Sequence, residues 1–181
     1  MRLGVYGEAK KYYEYALDID RSALGEVHPN TASAYDALAG YFSGIAEYKT
    51  ALDLYFHAKE LKEKIHGEEH PKTAVTYSNI AGVYDTLGKY EKAREWYQRA
   101  LQIREAVYGR EHDDTAFSLN SIAGINVVTG AYKEALDGYM EVLDIRKRIF
   151  GENHPRVAAI YNNIAFHLRP YGRLKKLARM A

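Results

Sequence analysis

The sequence predicts an all-α solenoid, that is, a stack of similar helical hairpins. The first reason is a repeat: when the 181-residue sequence is shifted by 42 positions against itself, the same residue types return. A fixed period of about 20–50 residues is typical of repeat arrays, in which each unit packs only on its neighbours. The second reason is that apolar residues follow helical spacing in each unit, with one glycine interruption. The residues in register include Gly25, Gly67, Gly109 and Gly151, and His28, His70, His112 and His154.

Composition restricts the classes of partner. Lys plus Arg number 25 and Asp plus Glu number 24, so no basic excess is present to neutralise phosphates, and we expect no nucleic-acid partner. No apolar run approaches the ~20 residues of a membrane-spanning helix and no signal peptide is recognisable, so we expect no membrane partner. Cysteine is absent, which excludes disulfides and thiol catalysis. These features favour a cytoplasmic protein.

The unit from His70 to Tyr108 shows how each repeat is expected to fold. Pro71 can open a first helix, because its missing N–H is not needed there. Gly88 then breaks the pattern, where a helix C-terminus favours a residue without Cβ. Two helices joined by such a turn form an αα-hairpin. The first helix carries one apolar face of Tyr77, Ile80, Ala81 and Tyr84, and the second carries Tyr90, Ala93, Tyr97, Ala100, Leu101 and Ile103.

The spacing Tyr77-x2-Ile80-Ala81-x2-Tyr84, followed by Ala93-x3-Tyr97, resembles the tetratricopeptide repeat (TPR) pattern. The usual repeat has 34 residues and ends with a proline, where this chain has Glu105. The longer unit and its Gly-x-x-His-Pro loop resemble the 42-residue variant of kinesin light chains. The resemblance implies a right-handed superhelix whose first helices line a concave, peptide-binding groove.

The repeat register divides the chain into one continuous array, 1–181, without an internal domain boundary. Residues 1–24 are predicted to form the second helix of a partial repeat. Because Met1–Tyr6 aligns with Asp85–Tyr90, the chain is expected to begin inside a turn. Complete repeats follow at 29–66, 71–108 and 113–150, and a partial repeat at 155–181. No polar capping repeat is recognisable, so we expect a piece of a longer protein or ends that pair with a neighbouring copy.

Small and large residues alternate in a way that predicts the core. Ala39, Ala81, Ala123 and Ala165 recur where paired helices must approach to about 8–10 Å. Tyrosines, among them Tyr35, Tyr77 and Tyr161, are expected to fill the spaces between them. Most of the 17 tyrosines are therefore assigned to the core rather than to an aromatic ligand site.

The aligned histidines are not expected to bind metal. A metal site needs ligands that converge on one ion, whereas these residues recur once per repeat before each first helix. His66 and His70 resemble the zinc-protease spacing, but Gly67 stands where that motif needs glutamate. The segment 111–114 (Glu-His-Asp-Asp) could collect a cation, although its aspartates also suit a helix N-terminus. We therefore predict no metal, no cofactor and no catalytic residue.

The resemblance places the partner-binding residues on the inner faces of the first helices. Asparagine suits this role because its amide both donates and accepts hydrogen bonds, although bonds within the array would explain it equally well. The glycines at 40, 82 and 124 leave room for a bound chain. Only one predicted groove residue is a cation, which disfavours acidic peptides. The predicted groove residues are Asp36, Ser78, Asn79, Asp85, Phe117, Asn120, Asn162, Asn163, Phe166 and Arg169.

The resulting functional hypothesis is a non-catalytic interaction scaffold that binds a protein or peptide partner. One alternative is self-association as a homo-oligomer through the opening helix, where Tyr6, Ala9, Tyr13 and Leu17 share one face that is expected to be exposed. Another is a regulatory or peptide-sensing module of a larger signalling protein. The sequence is compatible with all three functions.

Overall fold

The computed structural model describes the backbone of residues 2–167 and the side chains of residues 8–166. This part of the chain forms eight α-helices and no strand, so the predicted all-α class is confirmed. We call the even-numbered helices first helices and the odd-numbered ones second helices. They are α1 (Arg2–Leu24), α2 (Pro29–Gly44), α3 (Tyr48–His66), α4 (Pro71–Thr86), α5 (Tyr90–Tyr108), α6 (Asp113–Val128), α7 (Tyr132–Phe150) and α8 (Pro155–His167).

The chain divides into two compact units, Met1–Ile103 and Arg104–Ala181. The first contains α1 to α4 and most of α5, and the second contains the end of α5 and α6 to α8. In the first unit α2 packs on both α1 and α3, and α3 packs on α4. In the second unit α7 packs on both α6 and α8. A single continuous array over 1–181 stays a prediction.

The start of the chain differs from the expected turn. Helix α1 runs without interruption from Arg2, so Gly4 lies inside a helix. Glycine adopts helical and left-handed conformations with similar ease, so its alignment with Gly88 could not distinguish the two.

The loops before the first helices are held by the same contacts in successive repeats. Gly67 ends α3 with φ 91°, a left-handed value that favours glycine. Its carbonyl accepts a hydrogen bond from the buried Thr73 hydroxyl at 2.9 Å. The same bond joins Thr31 to Gly25 and Thr115 to Gly109, at 2.8 Å in each case. These local bonds orient each first helix relative to the helix that precedes it.

The aligned histidines are helix N-caps. The imidazole Nδ1 of His70 accepts a hydrogen bond from the backbone N–H of Lys72 at 3.1 Å, which satisfies a donor at the start of α4. His28, His112 and His154 make the equivalent bond at 3.1–3.2 Å. The prediction that these residues define the entry to each first helix is confirmed.

The alanine positions lie in the core of each complete hairpin. Ala39, Ala81 and Ala123 are fully buried, as predicted, whereas Ala165 on α8 is exposed and its prediction is wrong. Buried tyrosines lie around the buried alanines, and the Tyr77 hydroxyl donates to Glu63 Oε1 at 2.6 Å. Tyr161, in contrast, is 48% exposed. The prediction of a buried Tyr161 is wrong because α8 packs on α7 through its other face, where Val157 and Ile160 are buried.

One side-chain hydrogen bond per hairpin links positions 31 residues apart. His57 Nε2 lies 2.6 Å from Glu26 Oε1, and this hydrogen bond lowers the pKa of the Glu26 carboxyl. Arg99 pairs with Glu68 at the equivalent positions. In the second unit the two charges are exchanged. Arg110 lies at the position of Glu26, and Glu141 lies at the position of His57. Because such exposed pairs contribute only about 0–1 kcal/mol, their main effect is on the register of the helices.

Candidate functional site

In the first unit, α2 and α4 carry four of the predicted groove residues. Asp36 on α2 is largely buried. It pairs with Lys62 of α3 and accepts hydrogen bonds from the hydroxyl of Thr76 on α4 at 3.0–3.1 Å. Burial raises the pKa of the Asp36 carboxyl, and the charge of Lys62 and the hydrogen bonds partly offset that effect. Asp36 therefore joins three helices and is not simply a residue presented to a ligand.

The three predicted groove residues on α4 differ in their exposure to solvent. Ser78 is buried, and its hydroxyl donates to the Ala74 carbonyl at 3.1 Å. Asn79 and Asp85 are partly exposed. Burial raises the pKa of the Asp85 carboxyl, near the C-terminal end of α4, where the helix dipole also disfavours a negative charge. In this unit Asn79 and Asp85 are the predicted residues that retain accessible polar groups.

In the second unit, α6 and α8 bring two predicted residues into contact. The amide nitrogen of Asn163 donates to the side-chain oxygen of Asn120 at 2.9 Å. This bond uses one donor of Asn163 and one acceptor of Asn120. The remaining amide groups, the Nδ2 donors of Asn120 and the Oδ1 acceptor of Asn163, match the two polar groups of a peptide backbone.

Exposed side chains lie on the same helix faces as this amide pair. Phe117 precedes Asn120 by one helical turn, and Phe166 follows Asn163 by one turn. The two rings are 46% and 77% exposed. Asn162 is also exposed. The predicted Arg169 lies outside the described residues.

Three cations near the predicted groove residues lie on second helices, and the sequence analysis, which places the groove on first helices, missed them. Lys62, Arg104 and Arg146 recur every 42 residues on second helices, and that periodicity was the available signal. Arg104 is buried, donates to the Ser118 hydroxyl at 2.5 Å, and lies 5.6 Å from the centroid of the Phe117 ring.

Burial lowers the pKa of both guanidiniums, Arg104 and Arg146. Arg146 donates to Asp113 at 3.0 Å, and Arg156 also pairs with this carboxylate. These cations bind side chains of the chain itself. They consequently add little accessible positive charge for an acidic ligand.

The inner-face glycines each face a tyrosine hydroxyl of the second helix. A Cβ added at Gly40, Gly82 or Gly124 would lie 3.4–3.8 Å from that oxygen, which is ordinary contact. Burial, with the nearby Asp36 charge, raises the pKa of Tyr55, the tyrosine opposite Gly40, to about 12. The Tyr55 hydroxyl therefore stays protonated at neutral pH and can act as a hydrogen-bond donor.

Within the described residues, no group of three or more His, Asp or Glu side chains could hold a metal ion. The rings of His66 and His70 stack with centroids 4.7 Å apart, across the loop that separates α3 from α4. The described helices include none that is long and apolar enough to cross a membrane.

Comparisons with known proteins identify the repeat. The tetratricopeptide repeat family matches residues 1–64, 47–106, 83–137 and 114–176. No curated protein matches the sequence. Among solved structures, BtubC (BKLC) from P. vanneervenii is 26% identical, with a TM-score of 0.75 over 92% of this chain. The present chain spans 65% of the length of that protein.

A second similar structure is a protein of Podosopora anserina described as a kinesin light chain with nearly identical TPR-like repeats. It is 21% identical, with a TM-score of 0.76, and the match covers 98% of this chain and 84% of that one. A variant of the same protein matches with a TM-score of 0.78. The predicted solenoid fold and its kinesin light chain-like repeats are thus confirmed, and the chain belongs to the tetratricopeptide repeat family.

Proposed function

We propose that this protein is a non-catalytic scaffold that binds a segment of a partner protein along the inner faces of its first helices. Tetratricopeptide repeats are generally protein-interaction scaffolds. The observation that carries the proposal for this chain is the Asn120–Asn163 pair, with exposed phenylalanines one turn away on the same helices. A cytoplasmic location, favoured by composition, is part of the same proposal.

The amide pair and the rings contribute different parts of the interaction. The spare donors of Asn120 and the spare acceptor of Asn163 suit the backbone of an extended segment, whatever its side chains. The rings of Phe117 and Phe166 each offer apolar area that a partner can cover. Such residues contribute strongly to binding when they become buried at an interface.

The charges on the inner faces argue against an acidic ligand. The cations Lys62, Arg104 and Arg146 are buried or nearly so and bind the chain's own side chains. Asp85 is a partly exposed carboxylate in the first unit. We therefore expect a neutral or mildly basic segment with apolar anchors, since like charges across an interface suppress binding.

The test is selection of peptides from a random display library on the protein and on the variant Asn120→Arg/Asn162→Arg. Peptides enriched on the protein should lose at least about tenfold in affinity for the variant, because two long cations replace the amide surface. The control is Asn30→Arg/Asn153→Arg, which adds the same charge at exposed positions outside the inner faces. Circular dichroism establishes that both variants fold.

Unchanged affinity for the Asn120→Arg/Asn162→Arg variant would place the binding surface elsewhere. An equal loss in the control would show a general charge effect and would also contradict the assignment.

A further inference from the structure

Helix α1 carries an exposed apolar strip made of Tyr12, Tyr15, Ala16 and Ile19, which we call the α1 strip. It is not the face that the sequence analysis expected to be open. Leu17 of that expected face is buried against α2, and the ring of Tyr13 lies 5.9 Å from that of Tyr41. The predicted exposure is therefore wrong for Leu17, which α2 covers, whereas Tyr13 remains 39% exposed. The more exposed strip lies on another side of α1, and the side chain of Tyr6 lies outside the described residues.

The other second helices show what normally covers this strip. Ile19 is 66% exposed, whereas Leu61, Ile103 and Ile145, at the equivalent positions, are 2–6% exposed. Helix α1 already packs on the following first helix, α2, as α3 packs on α4. The difference therefore lies on the side where a complete hairpin places its own first helix. The α1 strip has the shape and composition to receive a helix of that type.

Within the part of the chain that the structure describes, helix α8 has the complementary face exposed. Ala158, Tyr161 and Ala165 are all exposed, and we call them the α8 face. The equivalent residues of α4, Ala74, Tyr77 and Ala81, are fully buried in their hairpin. The α8 face thus has the residue pattern that a second helix covers elsewhere in this chain.

Contacts within the complete hairpins indicate how the two surfaces fit. In the second unit, a Cβ added at Gly138 would lie 3.2 Å from the Cβ of Ala123, so the paired helices approach closely there. The equivalent residues of the two exposed surfaces are Tyr12 and Ala165. Leu54 and Trp96 occupy the same position as Tyr12 in the other hairpins, so a large side chain is accommodated.

The two exposed surfaces also carry groups that suit a polar contact. Every complete hairpin joins the positions of Glu26 and His57 by a hydrogen bond between side chains. At the corresponding positions the exposed surfaces carry Glu152, whose side chain is 78% exposed, and Tyr15. The Tyr15 hydroxyl can donate to that carboxylate, as the Tyr35 hydroxyl donates to Glu26.

We propose that the α8 face of one copy docks on the α1 strip of a second copy and forms a composite hairpin. Because the two surfaces differ, the association is head-to-tail and leaves one surface of each kind open at the ends of every oligomer. Species larger than a dimer should therefore form as concentration rises. This association uses helix faces other than the predicted groove, so the two proposals can fail separately.

Sedimentation velocity of the full chain from ~5 μM to ~500 μM tests the proposal. We expect the average mass to increase by at least about twofold over that range, by mass action. Ile19→Lys and Ala165→Arg each place a charge on one surface and should each reduce the protein to a monomer. Both residues are exposed, so the fold should be retained. Met140→Lys, at another exposed apolar position, is the matched control and should behave like the unaltered protein.

Mixing the two variants gives the decisive result. Ile19→Lys keeps an intact α8 face and Ala165→Arg keeps an intact α1 strip, so the mixture should form one-to-one dimers and nothing larger. A protein that is monomeric at all concentrations overturns the proposal. So does association that survives either substitution, or a mixture that stays monomeric although the unaltered protein associates.

Discussion

Replacing Lys62 by methionine tests whether the buried cation stabilises the first unit through Asp36. Lys62 is 6% exposed, and its ammonium group binds Asp36 and, at 3.0 Å, the Thr76 hydroxyl. Methionine keeps an unbranched stem of similar reach but removes the charge. The substitution leaves Asp36, whose side chain is 14% exposed, without its cation.

The expected loss of stability follows from that burial. Removing one partner of a buried ion pair costs about 3–5 kcal/mol, because an uncompensated charge stays in the interior. The Thr76 hydroxyl still donates to Asp36 in the variant and limits the damage. We therefore expect Lys62→Met to lower the free energy of unfolding by about 3 kcal/mol at pH 7.

The way in which the destabilisation by Lys62→Met varies with pH is a sharper test than its size at pH 7. Burial already raises the pKa of Asp36 above its ordinary value, so the folded state binds a proton more readily than the unfolded chain does. Above that value, ionised Asp36 opposes folding, and the opposition disappears as the pH falls. Loss of Lys62 raises the pKa of Asp36 further. The effect of Lys62→Met should thus be largest near pH 7 and shrink toward pH 4.

Urea unfolding at several pH values, followed by circular dichroism, measures this effect. The double variant Lys62→Met/Asp36→Asn should recover much of the lost stability, because no unpaired charge remains. Lys64→Met, at an exposed position of the same helix, is the control and should change stability little. A loss that is the same at pH 4 and pH 7, or that Asp36→Asn does not relieve, would refute the reasoning.

Two further substitutions test the packing and the helix caps, both by urea unfolding. Ala81→Leu should overpack the core around this fully buried residue and cost about 1–3 kcal/mol, whereas Ala37→Leu at an exposed site should have little effect. Equal effects of the two would contradict the assignment of Ala81 to the core. His70→Ala removes the Nδ1 acceptor of the Lys72 N–H and should cost about 1 kcal/mol, whereas His70→Asn keeps an acceptor and should cost less. Equal losses in the two His70 variants would show that the ring contact with His66 matters more than the cap.

The sequence predicts which helix carries each residue of the candidate site, but it does not predict which of these residues contact each other. The 42-residue register aligns Asn120 with Asn162, and Asn163 is the next residue along α8. The register does not show that the amides of Asn120 and Asn163 bind each other, which depends on the distance between two helices. Asp36 illustrates the same limit, because its partners Lys62 and Thr76 belong to two other helices.

The sequence by itself determined the helices, because their signals are local. A histidine cap, an apolar spacing and a glycine with positive φ act within a few residues, and they repeat every 42 positions. Tertiary structure decided which face of each helix stays exposed. The sequence placed Leu17 on the open face of α1, but Leu17 is buried against α2, and Ile19 is exposed instead. Burial depends on which helices pack together. The spacing of apolar residues in α1 is compatible with burial of either face of the helix.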